Sequence, residues 1–500
     1  MIRPTRREFL RRLATLAAGG AVCRAAGAAA GPAGRKRPGA GGKPNFVILY
    51  ADDLGYGDLA CYGHPRFKTP NLDRMAREGV RLTDFYSACP YCAPSRAALM
   101  TGRYPFRNHL MPGNPCPKQD PAGPKSDAAD SRGLPAEEIT LGEALQKAGY
   151  RTSCIGKWHL GHRPRFLPTR SGFHEYFGIL YSNDMHPVEL WDNEKKVEFP
   201  VEQSTLTRRY TERAVRFLEA NKARPFLLYL PHAMPHKPLA ASEAFYRKTG
   251  TGLYGDTIAE LDWSVGRILA TLKRLGLERR TLVFFSSDNG PWYGGSTGGL
   301  RGMKGRWWEG GYRVPLIAWR PGTIPPGQVI QEPAMIMDLF TTVLTAAGVP
   351  LPADRVIDGR DLLPVLTSGA KSPHEALFCY QGGVRTVRVG RWKLHVRVPG
   401  APRRKPGWVD PRAPNGKTLL APKEQYGPEA HPGVTGGDRP KGVALFDVEK
   451  DRAEQHDLAD EHPAVVARLR ALLRRMEQER GKPIGAGRPV RGWVARGLER

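Results

Sequence analysis

Residues able to hold a cation, an anion or a proton recur along this chain, and most of them stand at the end of an apolar run. Asn45-Phe-Val-Ile-Leu-Tyr50 runs into Ala51-Asp52-Asp53, and Thr281-Leu-Val-Phe-Phe285 runs into Ser286-Ser-Asp288-Asn289-Gly290. Oxygen donors of this kind select a hard divalent cation, Ca2+ or Mg2+, rather than zinc. Taken singly, each pair is equally well explained by a helix cap or a tight turn. Two such pairs, each closing an apolar run, point to one shared cation site. A third run, Pro225-Phe-Leu-Leu-Tyr-Leu230, leads to His232 and His236. Within Gly149–His162, alternation puts Lys157 and His159 on one side if the segment is extended; on residue type alone they are a surface pair. Lys304 lies among glycines that let a backbone approach a ligand closely, although Gly-rich sequence by itself is only a loop. Cys92, in Cys89-Pro-Tyr-Cys-Ala-Pro-Ser-Arg96, is either a nucleophile or a buried thiol beside a turn, with Pro94 and Ser95 opening a helix.

The apolar runs themselves do not alternate. Runs of this length suit strands buried on both faces, as in a parallel sheet. Helical patterns lie between them, over 140–148, 207–220 and 257–275. Strand alternating with helix predicts an α/β fold, a large mixed, mostly parallel sheet sandwiched by helices. Ligand sites in such folds sit at the carboxyl ends of the strands, which would gather the Asp, Asn and His clusters from distant sequence. From about Glu375 the pattern changes. Segments 376–380, 384–389, 392–398 and 443–447 read as antiparallel strands, and 461–479 as a helix with Val465, Val466, Leu469, Leu472 and Leu473 on one face. This is a smaller C-terminal α+β subdomain, interrupted by a Pro/Gly/Lys/Arg-rich loop or disordered insertion at 399–440.

The chain has 500 residues, 40% of them hydrophobic, which is enough for a large core and two domains. Its formal charge is +27, of which residues 1–43 supply +9. Such a surface suits nucleic acid, an anionic membrane or an anionic polysaccharide, or is simply a solvated basic surface. No nucleic-acid motif is present, and no segment is long and apolar enough to span a membrane. Thr5-Arg6-Arg7-Glu8-Phe9-Leu10-Arg11, followed by a weakly apolar stretch and Ala/Gly-rich sequence, reads as a twin-arginine export leader over 1–30. Residues 31–43 read as a linker, 44–374 as the catalytic domain, 375–482 as the C-terminal subdomain and 483–500 as a tail. The expected location is therefore outside the cytoplasm, periplasmic or extracellular. The six cysteines after the leader form neither a dense framework nor a zinc pattern.

Cys92-Ala-Pro-Ser-Arg96 with Gly102, together with Gly149–His162, resembles the two signature segments of type I sulfatases. Gly102–Asn108, Ile336–Thr342 and Ala444–Asp451 are similar as well, in the family's order, so the resemblance runs from about Pro44 to Asp460. It is nearest the arylsulfatase A and N-acetylgalactosamine-6-sulfatase group; Tyr91 departs from the family's usual small or aliphatic residue. The resemblance implies an alkaline-phosphatase-like fold and hydrolysis of sulfuric esters. It implies that a maturation enzyme oxidises Cys92 to formylglycine in the unfolded chain, before export by the twin-arginine machinery. Formylglycine 92 would be nucleophile and metal ligand, with Asp52, Asp53, Asp288 and Asn289 holding Ca2+, or Mg2+. Arg96 would stabilise the formylglycine hydrate, and Lys157 and Lys304 would bind sulfate oxygens. His159 would assist sulfate release from the covalent intermediate, and His236 would be the acid toward the leaving alcohol. Ser182 matches a sulfate-site serine. His236 is preferred to His232 for its place before Lys-Pro.

Two other readings compete. Phosphoester or phosphonate-ester hydrolases share this kind of site, and a non-catalytic binder of sulfated glycans could use the same fold. The Lys157–His159 segment and Lys304 favour a sulfatase, and no expected active-site residue is missing. A sulfated glycan or a small sulfate ester is the expected substrate.

Overall fold

The computed structural model describes residues 42–110, 114–117, 127–185, 187–400, 405, 427–440 and 442–478. The export leader, nearly all of the linker, most of the 399–440 insertion, part of the 111–135 loop and the 483–500 tail lie outside the described residues.

The first apolar run forms strand β1, Asn45–Ala51, with every residue buried. Phe46, Ile48 and Tyr50 face one core, and Val47, Leu49 and Ala51 face the other. A strand covered on both sides has no polar face to show, which is why the run does not alternate. Ten more strands join it: β2 (Val80–Tyr86), β3 (Arg151–Ile155), β4 (Glu175–Gly178), β5 (Leu190–Asp192), β6 (Lys195–Glu198), β7 (Phe226–Pro231), β8 (Thr281–Ser287), β9 (Arg313–Trp319), β10 (Gln328–Ile330) and β11 (Ala334–Met335). Their order is β10-β2-β9-β8-β1-β7-β3-β4-β5-β6, with β11 beside β2. The centre, β8-β1-β7-β3-β4, is parallel. Strand β9 runs against both its neighbours, and β5 and β6 form an antiparallel edge.

Helices cover both faces. On the first lie Cys92–Thr101, Leu141–Lys147 and Asp338–Ala347; on the second lie Pro70–Glu78, Leu206–Ala220 and Gly252–Arg274. The Leu141 helix is held at its start by a capping box between Thr140 and Glu143. The last helix of the second face begins at Gly252 rather than Thr257. Two glycines argue against a helix there, but Leu253 and Tyr254 are buried in the second core and outweigh them.

The C-terminal strands β12 (Leu377–Tyr380), β13 (Val384–Val389), β14 (Trp392–His395) and β15 (Ala444–Asp447) form an antiparallel sheet in that order. The helix Pro463–Gln478 buries Leu469, Leu473 and Met476 against it. Strand β14 stops at His395, earlier than predicted, because its partner β15 begins at Ala444 opposite it. Val387, Leu394 and Leu445 belong to the same contiguous core as Phe46 and Ile48.

Buried charges tie the two sheets together. Lys393 Nζ on β14 lies 2.9 Å from Glu309 and 2.8 Å from Glu454, all fully buried. Glu309 also accepts from Tyr86 on β2 at 2.7 Å and from Arg313 on β9 at 3.0 Å. Burial alone would lower the Lys393 ammonium pKa, but Glu309 and Glu454 outweigh it and raise it. Removing the cation leaves two buried carboxylates short of a partner, so Lys393→Met is expected to cost about 3–5 kcal/mol. Urea unfolding measures this; a loss under about 1 kcal/mol would contradict the assigned role.

Candidate functional site

The carboxyl ends of β1, β7 and β8 lie level, because Tyr50 pairs with Pro231 on one side and Ser286 on the other. The chain leaving each strand therefore enters one space. Asp52 and Asp53 leave β1, Asp288 and Asn289 leave β8, and all four are buried. Asp53 N–H donates to Asp288 Oδ1 at 3.0 Å, and Asn289 Nδ2 donates to Asp53 Oδ1 at 2.8 Å. These bonds hold Asp53 in the left-handed region, φ 59°, a conformation few residues other than Gly adopt. From β7, Met234 O accepts from Asp52 N–H at 3.1 Å.

Cys92 opens the helix Cys92–Thr101, whose ten residues are all buried. Pro94 sits in the first turn, where a helix needs no N–H donor. One turn on, Arg96 reaches beneath the site. Its Nε and Nη2 donate to Asp288 Oδ2 at 3.0 and 2.9 Å, and its Nη1 to Lys157 O at 2.9 Å. Lys157 Nζ donates to Asp52 Oδ2 and, at 3.0 Å, to Ser182 Oγ. Lys304 Nζ lies 2.7 Å from Asp53 Oδ2 and 3.3 Å from Cys92 Sγ. Lys157 and His159 do not lie on a strand as alternation suggested, because β3 ends at Ile155. Past Gly156 (φ 132°) the chain is irregular, fixed by Lys157 N–H to Pro231 O at 2.7 Å and His159 N–H to Leu180 O at 3.1 Å.

The two candidate histidines part company. His236 Nε2 faces the cluster, 3.6 Å from Asp53 Oδ2 and 3.5 Å from Ser182 Oγ. Asp52, Asp53, Cys92 and His236 offer ligand atoms within 4.8 Å of one another. His232 instead meets Ser264 Oγ at 3.1 Å, and burial pushes its pKa down to about 3. His159 is fully buried, and among the described residues its ring meets the Pro115 carbonyl. Burial lowers its pKa well below the usual imidazole range, and Lys157, Arg96 and Lys304 lower it further. The imidazole is thus held neutral, with one unprotonated ring nitrogen able to accept a hydrogen bond.

Electrostatics set the remaining character of the site. Burial pushes the Asp52 carboxyl up, to about 7, against the pull of Lys157. Burial acts the same way on Asp288, but Arg96 and Lys157 outweigh it and hold that carboxyl low. Burial raises the Cys92 thiol well above its usual range despite Lys157 and Lys304, so as a thiol it stays protonated and a weak nucleophile. Among the described residues, Asp52 Oδ1 and Asn289 Oδ1 are buried and lack a hydrogen-bond donor. Acceptor oxygens left over in a carboxylate-rich pocket fit a hard cation such as Ca2+. Two contributors escaped the sequence reading. Asp58 accepts from Gly55 N–H at 2.6 Å, Ser296 N–H at 2.7 Å and Tyr254 Oη at 2.6 Å, tying the loop after Asp53 to the one leading to Lys304. The available clue was Gly55-Tyr-Gly57: a Cβ at Gly55 would stand 2.0 Å from Ser296 O. Asn183 is the other, and its Asn-Asp setting carried no distinguishing mark.

Comparison with known proteins agrees with this geometry. The sulfatase family model matches residues 44–349, and a model of the C-terminal region of aryl-sulfatase matches 372–482. N-acetylgalactosamine-6-sulfatase of Mus musculus is 43% identical over 378 residues, covering 71% of this chain and 72% of that protein. Arylsulfatase A of Homo sapiens is 40% identical over 396 residues, covering 72% and 76%. Among solved structures, the PsFucS1 sulfatase from Pseudoalteromonas sp. superposes with a TM-score of 0.72 at 25% identity, covering 87% of this chain and 90% of that one. The phosphonate monoester hydrolase of Agrobacterium radiobacter, at 18% identity and a TM-score of 0.59 over 88% and 96%, shares the fold. The alkaline-phosphatase-like architecture expected from the resemblance is thus the observed one. By sequence model, by relatives and by fold, the chain belongs to the sulfatase family of sulfuric ester hydrolases.

Proposed function

We propose that this protein hydrolyses sulfate esters of sulfated glycans or aryl alcohols to the alcohol and inorganic sulfate, with residue 92 acting as formylglycine. The observation that carries the reading is the approach of Lys304 to Cys92 at 3.3 Å, beside Lys157 and the Asp52–Asp53 pair. An ester sulfate brings one negative charge and gains another as it leaves, and two buried ammonium groups suit that change. Asp52, Asp53, Asp288 and Asn289 would hold Ca2+ or Mg2+, which would polarise sulfate oxygens and favour an ionised hydroxyl nucleophile. Formylglycine as its hydrate supplies two hydroxyls on one carbon, one to attack sulfur and one to expel sulfate as the aldehyde re-forms. Sulfur is the one soft donor in this otherwise oxygen set, and an oxidised residue 92 removes that mismatch.

The remaining residues divide the work. Arg96 neutralises Asp288 and, through the Lys157 carbonyl, fixes the backbone that presents Lys157. Ser182 steadies the Lys157 ammonium. His159, neutral at rest, accepts the proton of the second hydroxyl, and His236, as its imidazolium, holds a proton at Nε2 for the leaving oxygen. His236 Nδ1 lies 2.6 Å from Lys237 O, which fixes the ring with Nε2 toward the site. The Cys92 helix is buried along its whole length, so a maturation enzyme could reach residue 92 only before folding. That order suits the twin-arginine leader, since this route carries folded proteins to the periplasm or beyond. Among the described residues no helix is long and apolar enough to cross a membrane.

The test is turnover of an aryl sulfate against the matching phosphate diester. Matured protein is expected to prefer the sulfate; a preference for the diester would favour phosphoester chemistry. Lys304→Ala should lower kcat on the sulfate by about 10²-fold or more, and an unchanged kcat would remove Lys304 from the mechanism. Exhaustive chelation should abolish turnover and lower the melting temperature, with both restored by Ca2+; full activity after chelation would rule out a required cation.

A further inference from the structure

We infer that Asn183 is a positioning residue that aims His236 at the leaving oxygen, a claim resting on the reading of His236 as the acid. Asn183 is fully buried. Its Nδ2 lies 3.2 Å from each of three acceptors: Gln203 Oε1, the His236 carbonyl and the Pro238 carbonyl. Gln203 Nε2 donates back to Asn183 O at 2.9 Å. Reversing the amide would set Oδ1 against three oxygens, so the network itself fixes its orientation. The backbone on both sides of Lys237 is thus tethered to one side chain, which is tethered in turn to the start of the helix Leu206–Ala220 through Gln203.

The neighbouring Ser182 gives this tether its meaning. Ser182 Oγ stands between Lys157 Nζ, at 3.0 Å, and His236 Nε2, at 3.5 Å. One dipeptide therefore sets the spacing between a sulfate-binding cation and the acid. Asn183 Oδ1 has no donor among the described residues. An apolar side chain would fill this space without that unsatisfied oxygen, so what the amide adds is the tether, its two N–H groups shared among three acceptors. In the step concerned, the ionised hydroxyl at residue 92 bonds to sulfur as the S–O bond to the alcohol breaks, and the Nε2 proton of the His236 imidazolium passes to the bridging oxygen, giving neutral alcohol, a sulfated residue 92 and neutral His236. Without the tether the imidazole remains but its approach loosens, and misplacement of that kind is costly in rate.

A leaving-group series on the full, matured chain separates positioning from mere stability. Rates are normalised to the aldehyde content of residue 92. For Asn183→Ala, kcat on 4-nitrophenyl sulfate, whose phenolate leaves unaided, should stay within about threefold of the parent. On an alkyl or sugar sulfate it should fall about 10²-fold, with KM little changed. Asn183→Asp keeps the size and removes the donors, so it should show the same pattern even if the alanine variant folds poorly. His236→Ala is measured alongside. A uniform loss across all esters, or no loss on the poor leaving groups, overturns the role of Asn183. If His236→Ala is itself insensitive to the leaving group, the acid assignment fails and this inference with it. If His236→Ala is sensitive and both Asn183 variants are not, only the inference about Asn183 fails.

Discussion

Burying three carboxylates at the ends of two adjacent parallel strands is the constraint on which this structure turns. Asp52, Asp53 and Asp288 are almost wholly out of water, and isolated buried charges of this kind are not tolerated. Arg96, Lys157 and Lys304 supply the answering charges, each from a different part of the chain. Arg96 carries the most, since one guanidinium pairs with Asp288, lies 3.5 Å from Asp52 and caps the Lys157 carbonyl. Its fork geometry suits it to this; a lysine would reach one partner. The same arrangement that makes the cluster tolerable leaves acceptor oxygens of Asp52 and Asn289 without a donor among the described residues.

The C-terminal sheet supports the cluster, although none of its strands offers a charged group to it. The loop that carries Lys304 rests on C-terminal segments along most of its length. Ala430 and Pro432 carbonyls accept from Gly294 and Thr297 at 3.0 Å, Arg301 bridges to Val434, and its Nη1 donates to Glu454 O at 2.6 Å. Gln381, in the β12–β13 turn, donates to Tyr91 Oη at 3.1 Å, just ahead of Cys92. Beneath lies the buried Lys393, Glu309 and Glu454 group. Fully satisfied buried networks of this kind rigidify a core and specify one arrangement; here Glu454 joins the network to Arg301, in the loop that carries Lys304.

Much of this was legible in the sequence because the relevant signals are local. An apolar run that does not alternate, ending in Asp-Asp or Asp-Asn, states both the burial of the strand and the chemistry at its end. The Cys92 and Lys157 segments carried the family resemblance in their residue order. What could not be read depends on tertiary packing. His232 and His236 stand four residues apart in sequence, and only the fold sends one to Ser264 and the other to Asp53. Alternation was the wrong guide to Lys157 and His159, since a glycine at φ 132° ends the strand first. Asp58 and Asn183 act through contacts with distant segments; Gly55 and Gly57 hint at the close approach beside Asp58, and the setting of Asn183 carries no such mark. The early start of the Gly252 helix is likewise a packing effect that outweighs local propensity.

The proposed chemistry depends most on the state of residue 92, which has a direct readout. The mass of the tryptic peptide holding this residue, from protein matured in a competent host, should correspond to an aldehyde in place of the CH2SH side chain, and catalytic activity should scale with the modified fraction. Full activity in protein whose residue 92 is an unmodified thiol would contradict the central claim.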